Sequence, residues 1–91
     1  MRTAAKRDRN EPEIVGALLS LGVQVKKLSQ EGIPDLLLAY RGRNYLAEVK
    51  DGDKKLTPAQ VDFHALWRGP IVLLRSIDDV HNWVTLLSRK A

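Results

Sequence analysis

Asp35-Leu36-Leu37-Leu38-Ala39-Tyr40-Arg41-Gly42-Arg43-Asn44-Tyr45-Leu46-Ala47-Glu48-Val49-Lys50 is the stretch from which the rest of the chain can be placed. Residues 35–40 form a nearly continuous apolar run behind a single acid, and residues 45–50 alternate. The Arg41-Gly42-Arg43-Asn44 link between them offers a glycine for a tight turn. Two short apolar runs joined through such a link read as a β-hairpin. Alternation along the second strand puts Tyr45, Ala47 and Val49 on one face and Leu46, Glu48 and Lys50 on the other. If Arg41-Gly42 is a two-residue loop, Tyr40 faces Arg43 and Asp35 faces Glu48. A four-residue loop sets Asp35 against Lys50 instead. In both registers Asp35 shares the face of Glu48 and Lys50, and only a three-residue loop would turn it away.

Upstream of the hairpin, a helix is predicted to start near Asn10, with Asn10 as N-cap and Glu13 as its capping-box partner. Ile14, Ala17, Leu18 and Leu21 follow the spacing of one buried face, and Gly22 ends the helix. Val23–Leu28 reads as a short strand whose alternation is interrupted by Lys26 and Lys27. Downstream, Thr57-Pro58-Ala59-Gln60 combines a threonine N-cap, a proline at the first helical position and a glutamine at the capping-box position. That helix runs to about Trp67, where Arg68-Gly69-Pro70 breaks it. Ile71–Arg75 is a strand of the buried type. Ser76 then caps a last helix, with Asp79 at its box position and Val80, Trp83, Val84 and Leu87 on one face. The order is αβββαβα. Short links between the first strands predict an antiparallel meander, and the helix before the last strand predicts a right-handed parallel crossover. The fold expected is α/β: a mixed four-stranded sheet flanked by helices, in one domain over residues 10–91. A basic arm over 1–9, carrying Arg2, Lys6, Arg7 and Arg9, precedes it.

A chain of 91 residues makes one domain with a thin core, for which a homo-oligomer is a common remedy. The 44% hydrophobic content suits a globular protein. With no cysteine, disulfide frameworks and thiolate metal sites are excluded. No apolar run reaches the roughly 20 residues of a membrane span, and Met1–Asn10 lacks the apolar segment of a secretory signal. A cytoplasmic protein is expected. The net charge of +4 points toward a polyanionic partner, since lysine and arginine contacts to phosphate drive non-specific nucleic-acid binding.

Two carboxylates facing each other across a hairpin have Cβ atoms about 5 Å apart and repel. A divalent cation removes that repulsion, and Mg²⁺ takes carboxylate oxygens together with water and phosphate; Lys50 could instead neutralise the pair. The first helix bears on this choice. With Glu11 set at 0° and about 100° per residue, Ile14 falls at about 300°, Leu18 at about 340° and Leu21 at about 280°, while Glu13 falls at about 200° with Gly16 and Ser20. Glu11 therefore heads the apolar face. An acid in the first turn usually complements the helix dipole, but one aimed at the core needs a further reason, and joining a metal cluster on the sheet supplies one.

Taken together, Ile33-Pro34-Asp35, then Glu48-Val49-Lys50, the Asn10-Glu11 helix start and the Leu56-Thr57-Pro58-Ala59-Gln60 helix resemble the PD-(D/E)XK nuclease superfamily. Within it they are most similar to the virus-type replication-repair nucleases (VRR-NUC), with archaeal Holliday-junction resolvases as cousins. The resemblance runs from Asn10 to about Val80. It implies that Asp35 and Glu48 bind Mg²⁺, with Mn²⁺ as a substitute, and that Glu11 is a further ligand, directly or through water. It implies that Lys50 orients the attacking water and that Gln60 reaches toward the site. The capping box alone also accounts for Gln60, and both roles stay open. The activity implied is hydrolysis of DNA phosphodiester bonds by a structure-selective endonuclease acting on junctions or flaps, as a homodimer and without a small-molecule cofactor. A standalone domain of this kind suits a phage. The rival class is a nucleic-acid-binding module that kept the fold without catalysis, against which stand the intact Asp35, Glu48 and Lys50.

The remaining candidates read as follows. Arg7, Arg9, Arg41 and Arg43 are placed along backbone phosphates. His64 is taken as a helix-surface residue, Asp51 and Asp53 as solvated loop, and Trp67 and Trp83 as core packing. Ser-His-Asp arrangements, phosphate-cradling glycine loops and zinc-ligand spacings are absent from the sequence.

Overall fold

The structure, a computed structural model, describes residues 7–89; Arg2 and Lys6 of the basic arm lie outside them. The elements follow the predicted order: α1 (Glu11–Ser20), β1 (Gln24–Lys27), β2 (Leu36–Tyr40), β3 (Arg43–Val49), α2 (Pro58–Leu66), β4 (Ile71–Leu74) and α3 (Ile77–Arg89). The four strands form one sheet in the order β1-β2-β3-β4. The first three are antiparallel and β3 runs parallel to β4. No helix among the described residues is long and apolar enough to cross a membrane.

The hairpin takes the two-residue loop. Arg41 and Gly42 both have positive φ, 52° and 79°, as a type I′ turn requires to match the twist of its strands. Arg41 is held in this unfavoured conformation by its surroundings. Its guanidinium donates to the Ser88 carbonyl at 3.4 Å and lies 5.7 Å from the centre of the Tyr40 ring. Pairing then runs from Tyr40 opposite Arg43 to Leu36 opposite Ala47. One step further sets Asp35 across from Glu48.

The two faces of the sheet are unequal. Leu36, Leu38, Ala47, Val49 and Leu74 meet Ile14 and Leu18 of α1 and Val80 and Val84 of α3, and these residues are the buried core. Trp83 packs edge-on to Tyr45 with ring centres 5.2 Å apart, the packing role expected of it. The opposite face, bearing Glu48, is covered only by α2, which has no fully buried residue. Trp67 is consequently not a core residue as expected: it is 47% exposed and stacks on Phe63 at 5.1 Å. Helical spacing gave it an inward direction, but α2 has too little behind it to enclose an indole.

The capping expected of α2 is present in full, with Thr57 and Gln60 exchanging side-chain-to-backbone hydrogen bonds. At the last helix, Asp79 N–H bonds the Ser76 hydroxyl at 3.2 Å, while the Asp79 carboxylate accepts from Arg75 N–H rather than from Ser76.

At α1 the cap expectation fails. Asn10 has φ −85° and ψ 0°, an αR conformation that turns its side chain away from the helix N–H groups, and makes no side-chain cap. Its amide instead donates to the carbonyl of Lys50 at 3.1 Å and of Arg75 at 2.9 Å. Asn10 thus cross-links the start of α1 to the ends of two parallel strands. Glu13, free of any capping-box role, is exposed. Serine caps helices as well as asparagine does but cannot reach both strand ends. Asn10→Ser and Asn10→Ala are therefore expected to destabilise the fold alike, by about 1–3 kcal/mol in urea titration. A stability-neutral serine would restore the capping role.

Candidate active site

Three charged side chains are buried among the described residues, Glu11, Glu48 and Lys50, at 3%, 0% and 7% exposure. A buried charge costs several kcal/mol unless it is compensated, so the partners of these groups describe what the site can do.

Glu48 lies on the α2 side of β3, and α2 meets it with two polar side chains. Gln60 Nε2 donates to Oε2 at 3.1 Å, and His64 Nε2 stands 3.3 Å from Oε1. Gln60 therefore fills both roles left open by the sequence: Oε1 accepts the Thr57 N–H at 2.8 Å, closing the capping box, and the same amide turns its NH₂ to Glu48. His64 corrects the surface reading, since its side chain is only 20% exposed and engages Glu48. The signal was available in the helix period, because residues four apart share a face.

Asp35 completes the hairpin. Its Oδ2 accepts the Val49 N–H at 2.8 Å, and its carboxylate stands near Glu48, whose ionisation it opposes. Burial first, and then Asp35, push the Glu48 carboxyl up to about 8, against the opposing pull of Lys50. Burial also raises Glu11, with Arg7 as the main counterweight. His64 is lowered by burial. Its contact with Glu48 meets the distance for an ion pair, but a lowered histidine beside a raised carboxyl makes a hydrogen bond between neutral groups at neutral pH.

Glu11 enters from α1, as its wheel position required. Its Oε2 lies 3.5 Å from Arg7 Nε, and Arg7 Nη1 lies 3.5 Å from Asp35 Oδ1. Arg7 is thus drawn into the acidic cluster instead of trailing as a free arm. Beside it, Asp8 accepts from the Asp51 N–H at 3.2 Å and from Lys54 Nζ at 3.1 Å. Glu11 Oε1 is buried with no hydrogen-bond partner. Among the described residues no group of three or more histidine or acidic side chains is drawn together as a ready metal cage.

The cluster opens on a cleft of about 520 Å³ lined by Asp8, Asp35, Lys50, Lys54, Lys55 and Gln60, among others. Lys54 and Lys55 were missed by the sequence reading, although they stand in the loop directly after Lys50. Arg9 is exposed near the cluster, and Arg41 and Arg43 are exposed at the hairpin turn. That turn is five residues along the strand from the acids, roughly 16 Å at the strand rise. The hairpin arginines and the cluster therefore sit at opposite ends of the sheet.

Neither the comparison with family models nor that with curated proteins gives a match. Among solved structures, the chain is similar to one described as a VRR_NUC domain. The two are 29% identical over 86% of this chain and 97% of that chain, with a TM-score of 0.70.

The raised Glu48 carboxyl has a measurable consequence. Between its unfolded value of 4.5 and its folded value of about 8, the folded protein holds a proton that the unfolded chain has lost, so stability falls as pH rises through this range. His64, being lowered, acts in the opposite sense and only below its ordinary value. In EDTA the Tm is therefore expected to fall from pH 6.5 to 8.5, and Glu48→Gln to remove most of that fall. The variant's Tm advantage should be small at pH 6.5 and several degrees at pH 8.5. No advantage at pH 8.5 would mean that Lys50, not a proton, already relieves the pair.

Proposed function

We propose, starting from a chain that falls with the VRR-NUC family in fold and in the order of its motifs, that this nuclease-type domain is a Mg²⁺-dependent DNA phosphodiesterase. One observation carries the reading: Glu11, Glu48 and Lys50 are buried charges, Arg7 links Glu11 to Asp35, and a carboxylate oxygen of Glu11 is buried without a hydrogen-bond partner. Uncompensated acid in a protein interior is a standing cost, which a hard divalent cation would offset.

Glu11, Asp35 and Glu48 would hold the ion, an all-oxygen set suited to Mg²⁺ or Mn²⁺. Such an ion would polarise the phosphate and lower the pKa of a water. Asp35 is fixed by the Val49 N–H, and Glu48 by Gln60 and His64, so the carboxylates are held before substrate arrives. Lys50 lines the cleft beside Asp35, where its ammonium orients the attacking water and offsets charge developing on the phosphorane. Lys54 and Lys55 give the cleft a positive rim against which a phosphate backbone can lie.

The substrate in this reading is branched DNA and the working unit a homodimer. In this reading the basic residues contact backbone phosphates, which carry no sequence information, so selectivity comes from DNA shape. The α2 side exposes Leu37, Val61, Leu66 and Trp67 at 38%, 50%, 79% and 47%, an apolar surface suited to a second copy. A two-fold pair presents two sites to two strands.

Asp35→Asn, Glu48→Gln and Lys50→Ala are each expected to abolish Mg²⁺-dependent cleavage while the protein stays folded. Glu11→Gln should impair it strongly and Glu13→Gln leave it unchanged. Incubation with linear, flap and four-way DNA in Mg²⁺, Mn²⁺ or EDTA tests this directly. Binding without cleavage under every metal condition would leave a non-catalytic module. Sedimentation at micromolar concentration tests the dimer, and a monomer that cuts junction and linear duplex equally would remove both the dimer and the preference for branches.

A further inference from the structure

The loop after β3, residues 51–56, carries an arrangement that the acidic cluster does not use. Asp8, in the segment before α1, spreads its two carboxylate oxygens over two donors of that loop. Oδ2 accepts the Asp51 N–H at 3.2 Å, and Oδ1 accepts from Lys54 Nζ at 3.1 Å. A backbone N–H and an ammonium converging on two oxygens of one anion is also how proteins hold the non-bridging oxygens of a phosphate. Asp8 and Lys54 stand in the wall of the cleft, where Lys50 and Lys55 add further positive charge. The Lys54 side chain is 60% exposed, so its ammonium can turn to another anion without crossing the interior.

The loop does not depend on Asp8 for its shape. Arg75 Nη1 donates to the carbonyls of Gly52 and Lys54, both at 2.7 Å, and the Lys54 N–H closes a turn onto the Asp51 carbonyl at 3.1 Å. Asn10 separately fixes the segment that bears Asp8, through the carbonyls of Lys50 and Arg75. Donors and carboxylate thus have different anchors, and parting them unravels neither. Asp8 also has an electrostatic cost, since together with burial and Asp35 it opposes the ionisation of Glu11 and Glu48. From this arrangement we infer that the Asp51 N–H and the Lys54 ammonium form a binding site for a backbone phosphate of DNA, which Asp8 occupies in the free protein as a resident anion that the phosphate displaces. This inference rests on the reading of the cleft as a nucleic-acid site, but the contact itself needs no metal.

The test reads DNA affinity without turnover, as fluorescence anisotropy of a labelled four-way junction titrated with protein in EDTA at several KCl concentrations. Asp8→Asn keeps the shape of the side chain and removes its charge. It is expected to bind about 2–5-fold tighter at low salt, because an exposed ion pair no longer has to be given up. The slope of log affinity against log KCl should steepen by about 0.9, as for one further phosphate contact. In a Lys54→Ala background the same substitution should change little in either quantity. A gain of equal size with and without Lys54 would reduce the effect to net charge and overturn the resident-anion role. Equal or weaker binding by Asp8→Asn would leave Asp8 as a clasp on the loop and overturn it as well. If the asparagine variant does not fold, Asp8→Ser serves the same comparison. Failure of the parent and of every variant to bind the junction even at low salt would remove the nucleic-acid reading itself, a result distinct from binding that ignores Asp8.

Discussion

The hydrogen bond from Val49 N–H to Asp35 Oδ2, at 2.8 Å, is the constraint around which the site is built. It ties the residue before β2 to the end of β3, extending the hairpin ladder by one rung with a side chain in place of a backbone carbonyl. On its other side, the Asp35 carbonyl accepts the Leu28 N–H at 2.8 Å, so the residue is held from both neighbouring strands. Fixed in this way, Asp35 must face Glu48, because the turn at Arg41-Gly42 allows no other register. A slip of one residue would exchange the faces of an entire strand and bury Leu37 in place of Leu36 and Leu38. The hydrophobic core on the α1 and α3 side thus enforces the position of acids on the other.

Holding these acids together requires compensation from several directions. Arg7 lies between Glu11 and Asp35, Gln60 donates to Glu48, and Lys50 lowers the cost of ionising Glu48. Each compensation is incomplete. Glu11 retains an oxygen without a hydrogen-bond partner, and the Glu48 carboxyl stays pushed up to about 8. A protein selected for stability alone would fill such positions with apolar side chains, because replacing buried ions by well-packed hydrophobic residues is often neutral or stabilising. The residual electrostatic strain is concentrated at one end of the sheet, beside a cleft lined by Lys50, Lys54 and Lys55, and that coincidence is what links the energetics to chemistry on a phosphate.

Most of this arrangement was legible in the sequence because it depends on short-range geometry. Strand alternation and a glycine turn fixed which residues share a face, the helical period aimed Glu11 inward, and Thr57-Pro58-Ala59-Gln60 described its own cap. The parts that were not legible depend on what lies across a gap. Asn10 looked like a cap because its partners, the carbonyls of Lys50 and Arg75, are 40 and 65 residues away. Arg7 looked like a free cation because nothing local showed that Glu11 and Asp35 would flank it. Trp67 looked buried because periodicity gives direction and not depth, and no layer closes over α2. His64 was misread for the converse reason: a helix with little buried surface can still place one side chain against the sheet.

The thin cover provided by α2 is also what makes the cleft usable. Were α2 packed as tightly as α1 and α3, the wall of the cleft formed by residues 30–33 and 57–60 would close. The helix instead touches the sheet chiefly through polar side chains, Gln60 and His64, and leaves its apolar residues Val61, Leu66 and Trp67 outward. Polar contact fixes the direction of the Glu48 carboxylate, which is fully buried, while Asp35, Lys50 and Gln60 beside it line the cleft. The apolar residues set free by this arrangement are exposed for the same reason that the site is open. The surface proposed for a second copy and the access proposed for DNA therefore follow from one feature, a crossover helix held to its sheet by hydrogen bonds rather than by a core.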